Sequence, residues 1–439
     1  MERWAWKSTR LLVLQADQAM DGNGTANYLP LRRERDVRID LARGLALLII
    51  FIDHNAFLDQ RTFGWLSAFT LGRYSFIDAA DVFFFISGYV SGLIYTNLLV
   101  SKGMVACLRK SFKRCIQLYI AEIVLFLLCS AIILTAPLHD TSSAWWAFHR
   151  LRDLPADTLR ATLTLRNPPP FFGLLPIYML FIGLTPAAVW LWIRRPFLLS
   201  LISLGLYVTA LFGSGHPAYI YSDGFNPLAW QLVFFGGVVL GAGKISNPLR
   251  KWNVSPQMIT AAVCGLVLIA SVRLASSEKI GMFLHTHALQ EMAPHTIAFT
   301  GKTNLEPLRL ANLFLWVIVI GAISPTCRLF KNVISRLLVA CGRNSLVVFC
   351  ASIFLNYVVL IYSKAGSGGK IVQFAWDAIG CALLVGTAYG WMLLKQSAPD
   401  AFQLPRIRTT ITSHGHHFLL IVYALWHSLH GFISGSFDA

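Results

Sequence analysis

The sequence predicts an all-α, polytopic transmembrane helical bundle of about ten spanning helices, with residues 417–436 as either an eleventh span or an interfacial helix. Three observations carry this. First, of 439 residues 56% are hydrophobic and only 13% are charged, whereas a soluble domain carries about a quarter charged residues. Second, the mean hydropathy is +0.59. Third, apolar runs near the length that a helix needs to cross roughly 30 Å of hydrocarbon recur along the whole chain. Lipid offers the backbone no hydrogen-bond partners, so such runs must be helices.

Three segments follow: a polar cytoplasmic arm (1–38), a membrane domain (39–396) and a tail (397–439) with room for one more helix. The arm is too polar for a cleaved signal, and its apolar stretch Leu11–Leu14 is too short. The first span is therefore expected to act as an uncleaved insertion signal. The apolar runs are Leu41–Leu58, Phe76–Val100, Cys115–Ala136, Phe171–Ile193, Pro196–Gly213, Pro227–Gly243, Met258–Leu274, Leu310–Cys327, Ser345–Tyr362 and Ile371–Leu394.

Basic residues favour the cytoplasmic side. With the N-terminus inside, the inner segments hold 24 Lys and Arg and the outer loops 12. The bias predicts that the N-terminus and, with ten spans, the C-terminus lie inside. It also accounts for the net charge of +16 without nucleic acid, since no basic stripe carries interleaved aromatics. The outer loops Pro137–Pro170 and Ala275–Arg309 are longer than connectors need to be and are rich in His, Trp and Pro. Such loops are usually functional or disordered. The eight cysteines are scattered, mostly inside apolar runs, with no zinc-like spacing. The histidines His414, His416, His417, His427 and His430 have no carboxylate or cysteine nearby in sequence, so no metal site is expected. The sequence carries no signal for oligomeric state.

Chemistry concentrates in the first two runs. Arg43 and His54 are eleven residues apart, nearly on one helix face, and separated by about 16 Å. Arg43 would sit near the inner surface and His54 deep in the bilayer. Ionisable groups within a span are costly and usually face the protein interior or a wet cavity. The spacing suits an elongated ligand with its anionic head on Arg43 and its reactive end at His54. Arg43 alone could instead snorkel to the headgroups, and His54 alone could be a helix-packing residue. Asp53 points about 100° away from His54.

Asp78 and Asp81 share a face at the outer end of the second run, with Asp81 at about the depth of His54. Either could orient the imidazole and raise its basicity; either could equally be a helix cap. Ser87/Ser91 and Gly88/Gly92 are small-xxx-small pairs suited to close helix approach. Lys102, Arg109, Lys110, Lys113 and Arg114 crowd the next inner segment. They could hold phosphates or merely set topology and meet anionic lipid.

The strings Asp40-Leu-Ala-Arg-Gly44, then His54, then Asp81-Val-Phe-Phe-Phe-Ile-Ser-Gly-Tyr89 resemble the membrane acyltransferases of acyltransferase family 3. Phe-Ile-Asp-His-Asn at 51–55 and Asp-Ala-Ala-Asp-Val-Phe at 78–83 are closer to its OpgC branch, the succinyltransferases of osmoregulated periplasmic glucans. The resemblance covers roughly residues 36–120. It implies a ten-helix fold that takes an acyl-coenzyme A, succinyl-coenzyme A in this branch, from the cytoplasm and acylates a hydroxyl of an extracytoplasmic glycan. It further implies His54 as catalytic base, Arg43 in the coenzyme A site, and no resident cofactor. The family's Arg-x-x-Arg pair at the start of the third span is only half matched: Arg114 fits the first position, but Gln117 occupies the second. Lys110 and Lys113 repeat the spacing, shifted, so the phosphate ligands stay open among Arg109, Lys110, Lys113 and Arg114.

Two other classes compete. A proton-coupled secondary transporter could use His54, Asp78 and Asp81 as a relay, although the inverted repeats common in transporters are not evident. A scaffold would tolerate loss of His54.

Overall fold

The computed structural model describes residues 36–58, 66–135, 155–165, 169, 171–212, 225–246, 255–275, 301–322, 332–362 and 370–397. The helices are α1 (Val37–Leu58), α2 (Leu71–Tyr74), α3 (Ala79–Thr135), α4 (Pro155–Leu163), α5 (Leu174–Arg194) and α6 (Pro196–Phe212). They continue with α7 (Pro227–Ser246), α8 (Pro256–Ala275), α9 (Pro307–Ala322), α10 (Val333–Arg343), α11 (Ser345–Tyr362) and α12 (Lys370–Ser397). A single 3-10 turn, Ser67–Phe69, precedes α2. No strand occurs among the described residues, and each of the ten predicted apolar runs contains a helix.

Among the described residues four helices are long and apolar enough to cross a membrane, or five if α10 and α11, bent by 94°, form one broken span. One of the four, α3, is two helices in one. Its backbone leaves helical geometry at Gly103, where φ is +80°, a conformation that glycine adopts without a Cβ penalty. Twelve residues of straight helix would span about 18 Å. Yet the Cys107 thiol lies 3.5 Å from the carbonyl oxygen of Tyr95. The chain therefore reverses at Gly103, and α3 is a hairpin of arms 79–102 and 104–135. The basic segment read as an inner loop is helical: Arg109, Lys110, Lys113 and Arg114 all lie on the second arm.

Glycine seams hold the bundle together. A Cβ on Gly88 or Gly92 would strike the carbonyl oxygen of Phe234 or Val238. A Cβ on Gly237 or Gly241 would strike that of Phe85 or Tyr89. Two Gly-x3-Gly faces thus interlock between the first arm of α3 and α7, and the rising register makes these helices parallel. In lipid, where apolar burial does not drive helices together, this backbone contact is a main source of cohesion. The expected small-residue seam at Gly88/Gly92 is present, and its partner Gly237/Gly241 is the half that sequence reading passed over.

A second seam is reciprocal. Gly44 of α1 meets the carbonyl oxygen of Leu338, and Gly342 of α10 meets that of Asp40. Sequence reading treated α10 as connector because of its charges Arg336 and Arg343. At the elbow between α10 and α11, the Asn344 amide side chain donates to the Ala340 carbonyl at 3.0 Å and the Ala388 carbonyl at 3.5 Å. Such side chains satisfy backbone groups freed at a break inside a membrane.

Residues 1–35 of the polar arm, the tail histidines and residues 417–436 lie outside the described residues.

Candidate active site

Two contacts fix the frame of the site. An Arg43 Nη donates to the Ser345 hydroxyl at 3.0 Å. The Asn356 amide nitrogen lies 3.3 Å from His54 Nδ1. Positions 43 and 54 on α1 therefore match 345 and 356 on α11, with the same offset of eleven residues. The two helices run parallel, and the predicted Arg43–His54 face is the face that α1 turns to α11. Arg43 is 7% exposed and its guanidinium lies 5.7 Å from the centroid of the Phe83 ring. It points into the bundle, which removes the snorkelling alternative for its side chain.

His54 is partly buried and stacks on Phe171 with ring centroids 4.1 Å apart. Phe171 has φ +72°, a left-handed conformation that costs about 1–2 kcal/mol for a residue with a Cβ. Packing on His54, with Tyr357 at 6.5 Å, holds it there. The ring of His54 is thus fixed in plane by Phe171 and in rotation by Asn356. In the orientation shown the amide N–H donates to Nδ1; a turn of the amide about its last bond exchanges its nitrogen and oxygen. With the amide oxygen toward the ring, Nδ1–H donates to it and Nε2 keeps a lone pair.

Asp78 and Asp81 depart from the expected pairing with His54. Asp81 is fully buried. Arg309 donates to one of its oxygens through Nε at 3.0 Å and to the other through Nη2. Asp78 receives the Lys302 ammonium at 2.8 Å and Arg309 at 3.1 Å. It also caps the start of α3, accepting from the Ala80 N–H at 2.9 Å. The physical reason is charge: a fork-shaped guanidinium satisfies both oxygens of a buried carboxylate, which one imidazole nitrogen cannot do. The direct partner of His54 is a neutral amide.

Arg309 itself is anchored, donating to the Phe76 carbonyl at 2.7 Å. Lys302 is held from two sides. Trp230 Nε1 donates to its carbonyl at 3.1 Å, and its ammonium sits 4.8 Å from the Phe225 ring centroid. The loop 301–306 is therefore tied to α7 and to the mouth of α3. Sequence reading counted both cations only as outer-loop charges.

Beside His54, Asn55 is 3% exposed and Asp377 of α12 is 1% exposed. The Asn55 amide donates to Asp377 Oδ1 at 3.0 Å. A Cβ on Gly380 would strike Phe51. As numbers fall on α12 they rise on α1, so α12 is antiparallel to it. Asp377 lies inside an apolar run, a signal that could have found it.

At the start of the second arm of α3, Lys110, Lys113 and Arg114 are partly buried and Arg109 is exposed. Arg114 donates to the Gln117 side-chain oxygen at 3.3 Å, so the residue that breaks the Arg-x-x-Arg pattern directly contacts the arginine that keeps it.

No curated protein matches the chain significantly. The family model described as OpgC protein matches residues 35–396. That match extends well beyond the strings that carry the resemblance and takes in α11 and α12 with Asn356 and Asp377. The chain belongs to the OpgC family, and with it to a group of glucan-modifying membrane acyltransferases.

Proposed function

We propose that this protein is an integral O-acyltransferase of the bacterial inner membrane that moves a succinyl group from cytoplasmic succinyl-coenzyme A to hydroxyls of a periplasmic glucan. The observation that carries the reading is the paired contact of α1 with α11. Arg43 and His54, about 16 Å apart, both face that interface, each with its own buried partner. A pantetheine arm would run along this seam. Its phosphates would lie toward Arg43 and the basic stretch of Arg109, Lys110, Lys113 and Arg114, and its thioester toward His54.

In the reaction, His54 Nε2 takes the proton of an acceptor hydroxyl as that oxygen attacks the thioester carbon. The carbon–sulfur bond breaks, and the departing thiolate takes the proton back from the imidazolium. The products are the glucan ester and free coenzyme A. With the Asn356 amide oxygen turned to Nδ1–H, Nδ1 stays engaged and Nε2 is the nitrogen that exchanges the proton.

The topology that suits this chemistry is ten spans with the N-terminus inside. Its support is the parallel course of α1 and α11 and of the first arm of α3 and α7, each of which requires an odd number of spans in between. A proton relay through Asp78 and Asp81 draws less support, because Asp81 is paired with Arg309 and Asp78 with Arg309 and Lys302.

The test uses purified protein in lipid nanodiscs with labelled succinyl-coenzyme A and a short glucan. Wild type is expected to label the glucan, and His54→Ala to lose roughly two to four orders of magnitude in rate. Equal transfer by both would keep the enzyme and remove His54 as base. Coenzyme A-independent proton flux driven by a glycan, without transfer, would point to transport.

A further inference from the structure

The buried polar groups around α12 form a second feature that the proton transfer at His54 does not use. Asn55 Oδ1, Asp377 Oδ2 and both side-chain atoms of Gln373 are buried and have no hydrogen-bond partner among the described residues. Gln373 is 8% exposed and lies one helical turn from Asp377 on the same face of α12. These four atoms come from three side chains on two facing helices, and one of the three, Asn55, follows His54 in the chain. Most buried polar atoms in folded proteins are hydrogen-bonded, and each exception needs an explanation. An unpaired carboxylate oxygen inside a membrane is especially costly. No cation approaches Asp377 among the described residues, in contrast to Asp78 and Asp81.

The unused atoms have a definite character. Asn55 Oδ1 and Asp377 Oδ2 are acceptors. Gln373 offers one donor and one acceptor whichever way its amide is turned. A cation would satisfy the oxygens but leave the Gln373 N–H unmet. A hydroxyl both donates and accepts, so adjacent hydroxyls on one ring match the set. We propose that Gln373, Asp377 and Asn55 form the acceptor subsite, which grips hydroxyl groups of a neutral sugar ring while a neighbouring hydroxyl meets His54. This rests on the acyltransferase reading and adds to it where the glycan binds and why the ligand is a polyol. Because α12 is antiparallel to α1, Gln373 lies toward the outer end and Asp377 deeper. The ring would enter past Gln373.

The experiment separates this subsite from the transfer reaction. Binding of a short neutral glucan, without acyl donor, is measured by calorimetry on wild type, Asp377→Asn and Gln373→Leu in nanodiscs. KM for glucan and for succinyl-coenzyme A is measured in parallel. Either substitution is expected to weaken glucan affinity and raise KM for glucan by about tenfold or more, since one hydrogen bond to a charged or buried group is lost. KM for succinyl-coenzyme A should stay within about twofold, which also reports an intact fold. If Asp377→Asn does not fold, Gln373→Leu carries the test alone. Unchanged glucan affinity in a folded variant, or equal changes in both KM values, overturns the subsite. Wild type that binds glucan through these residues but transfers no acyl group supports the subsite and overturns the acyltransferase reading.

Discussion

Asp81 and Asp377 are both intramembrane carboxylates, both essentially inaccessible, and they are treated in opposite ways. Asp81 has a guanidinium on both oxygens, and its neighbour Asp78 has an ammonium as well. Asp377 has one amide N–H on one oxygen and, among the described residues, no partner for the other. A buried charge that is fully paired fixes helices relative to one another; one left half-paired keeps binding capacity for something else. The difference divides this end of the bundle into a locked side, where α3 meets α9, and an open side, where α1 meets α12.

The strongest way to break the comparison is to unlock the first side. Arg309→Ala leaves Asp81 buried without its cation, which should cost about 3–5 kcal/mol and appear as a large drop in melting temperature or as loss of folded protein. Replacing both partners, Arg309→Met with Asp81→Leu, should recover most of that stability, because the penalty comes from the orphaned charge. Equal damage in the single and double variants would mean that the pair does more than hold α9 to α3.

Next in size is the imidazole. Asn356→Leu removes the group that fixes its rotation while keeping the volume similar. Misplacing a reacting group by about 1 Å can cost up to roughly a hundredfold in rate. The expected loss is in kcat, with KM for succinyl-coenzyme A little changed and Asn356→Gln restoring part of the rate. A variant with full kcat would show that Phe171 alone positions the ring. Close to it in size is Gly342→Val, which forces a side chain against the Asp40 carbonyl. Overpacking of this kind costs about 1–3 kcal/mol, and a matching loss of thermal stability is the reading to look for. No loss would mean that α10 can slide along α1.

These sites were legible to different degrees. Arg43 and His54 could be read as one face because helix periodicity is local. Gly88/Gly92 could be read for the same reason. Ser345 and Asn356 could not, since each contact joins residues 302 apart in the chain, and pairing over that distance depends on how the helices dock. Arg309 lies 228 residues from Asp81, so the aspartates offered no sign of their partner, and the nearest base, His54, was the reasonable guess. The reversal at Gly103 was hidden by its own charges. Lys102 and Arg109–Arg114 look like a loop by composition, yet helix continues on both sides of one residue that can take φ +80°. Helix α10 was missed because Arg336 and Arg343 interrupt its hydropathy, and its apolar face is visible only at helical period.

The smallest effect tests the rim of the locked side. Lys302 bridges the loop 301–306 to Asp78, but its side chain is 40% exposed. Exposed ion pairs contribute about 0–1 kcal/mol, and here Asp78 keeps Arg309 if Lys302 is lost. The Lys302→Met variant should therefore melt within a few degrees of wild type, and its remaining stability should depend less on salt, because a screened pair has been removed. Its carbonyl would still accept from Trp230, since that bond belongs to the backbone. A loss as large as that of Arg309→Ala would place Lys302 inside the lock, making the aspartate pair part of a two-cation network whose outer member counts as much as the buried one.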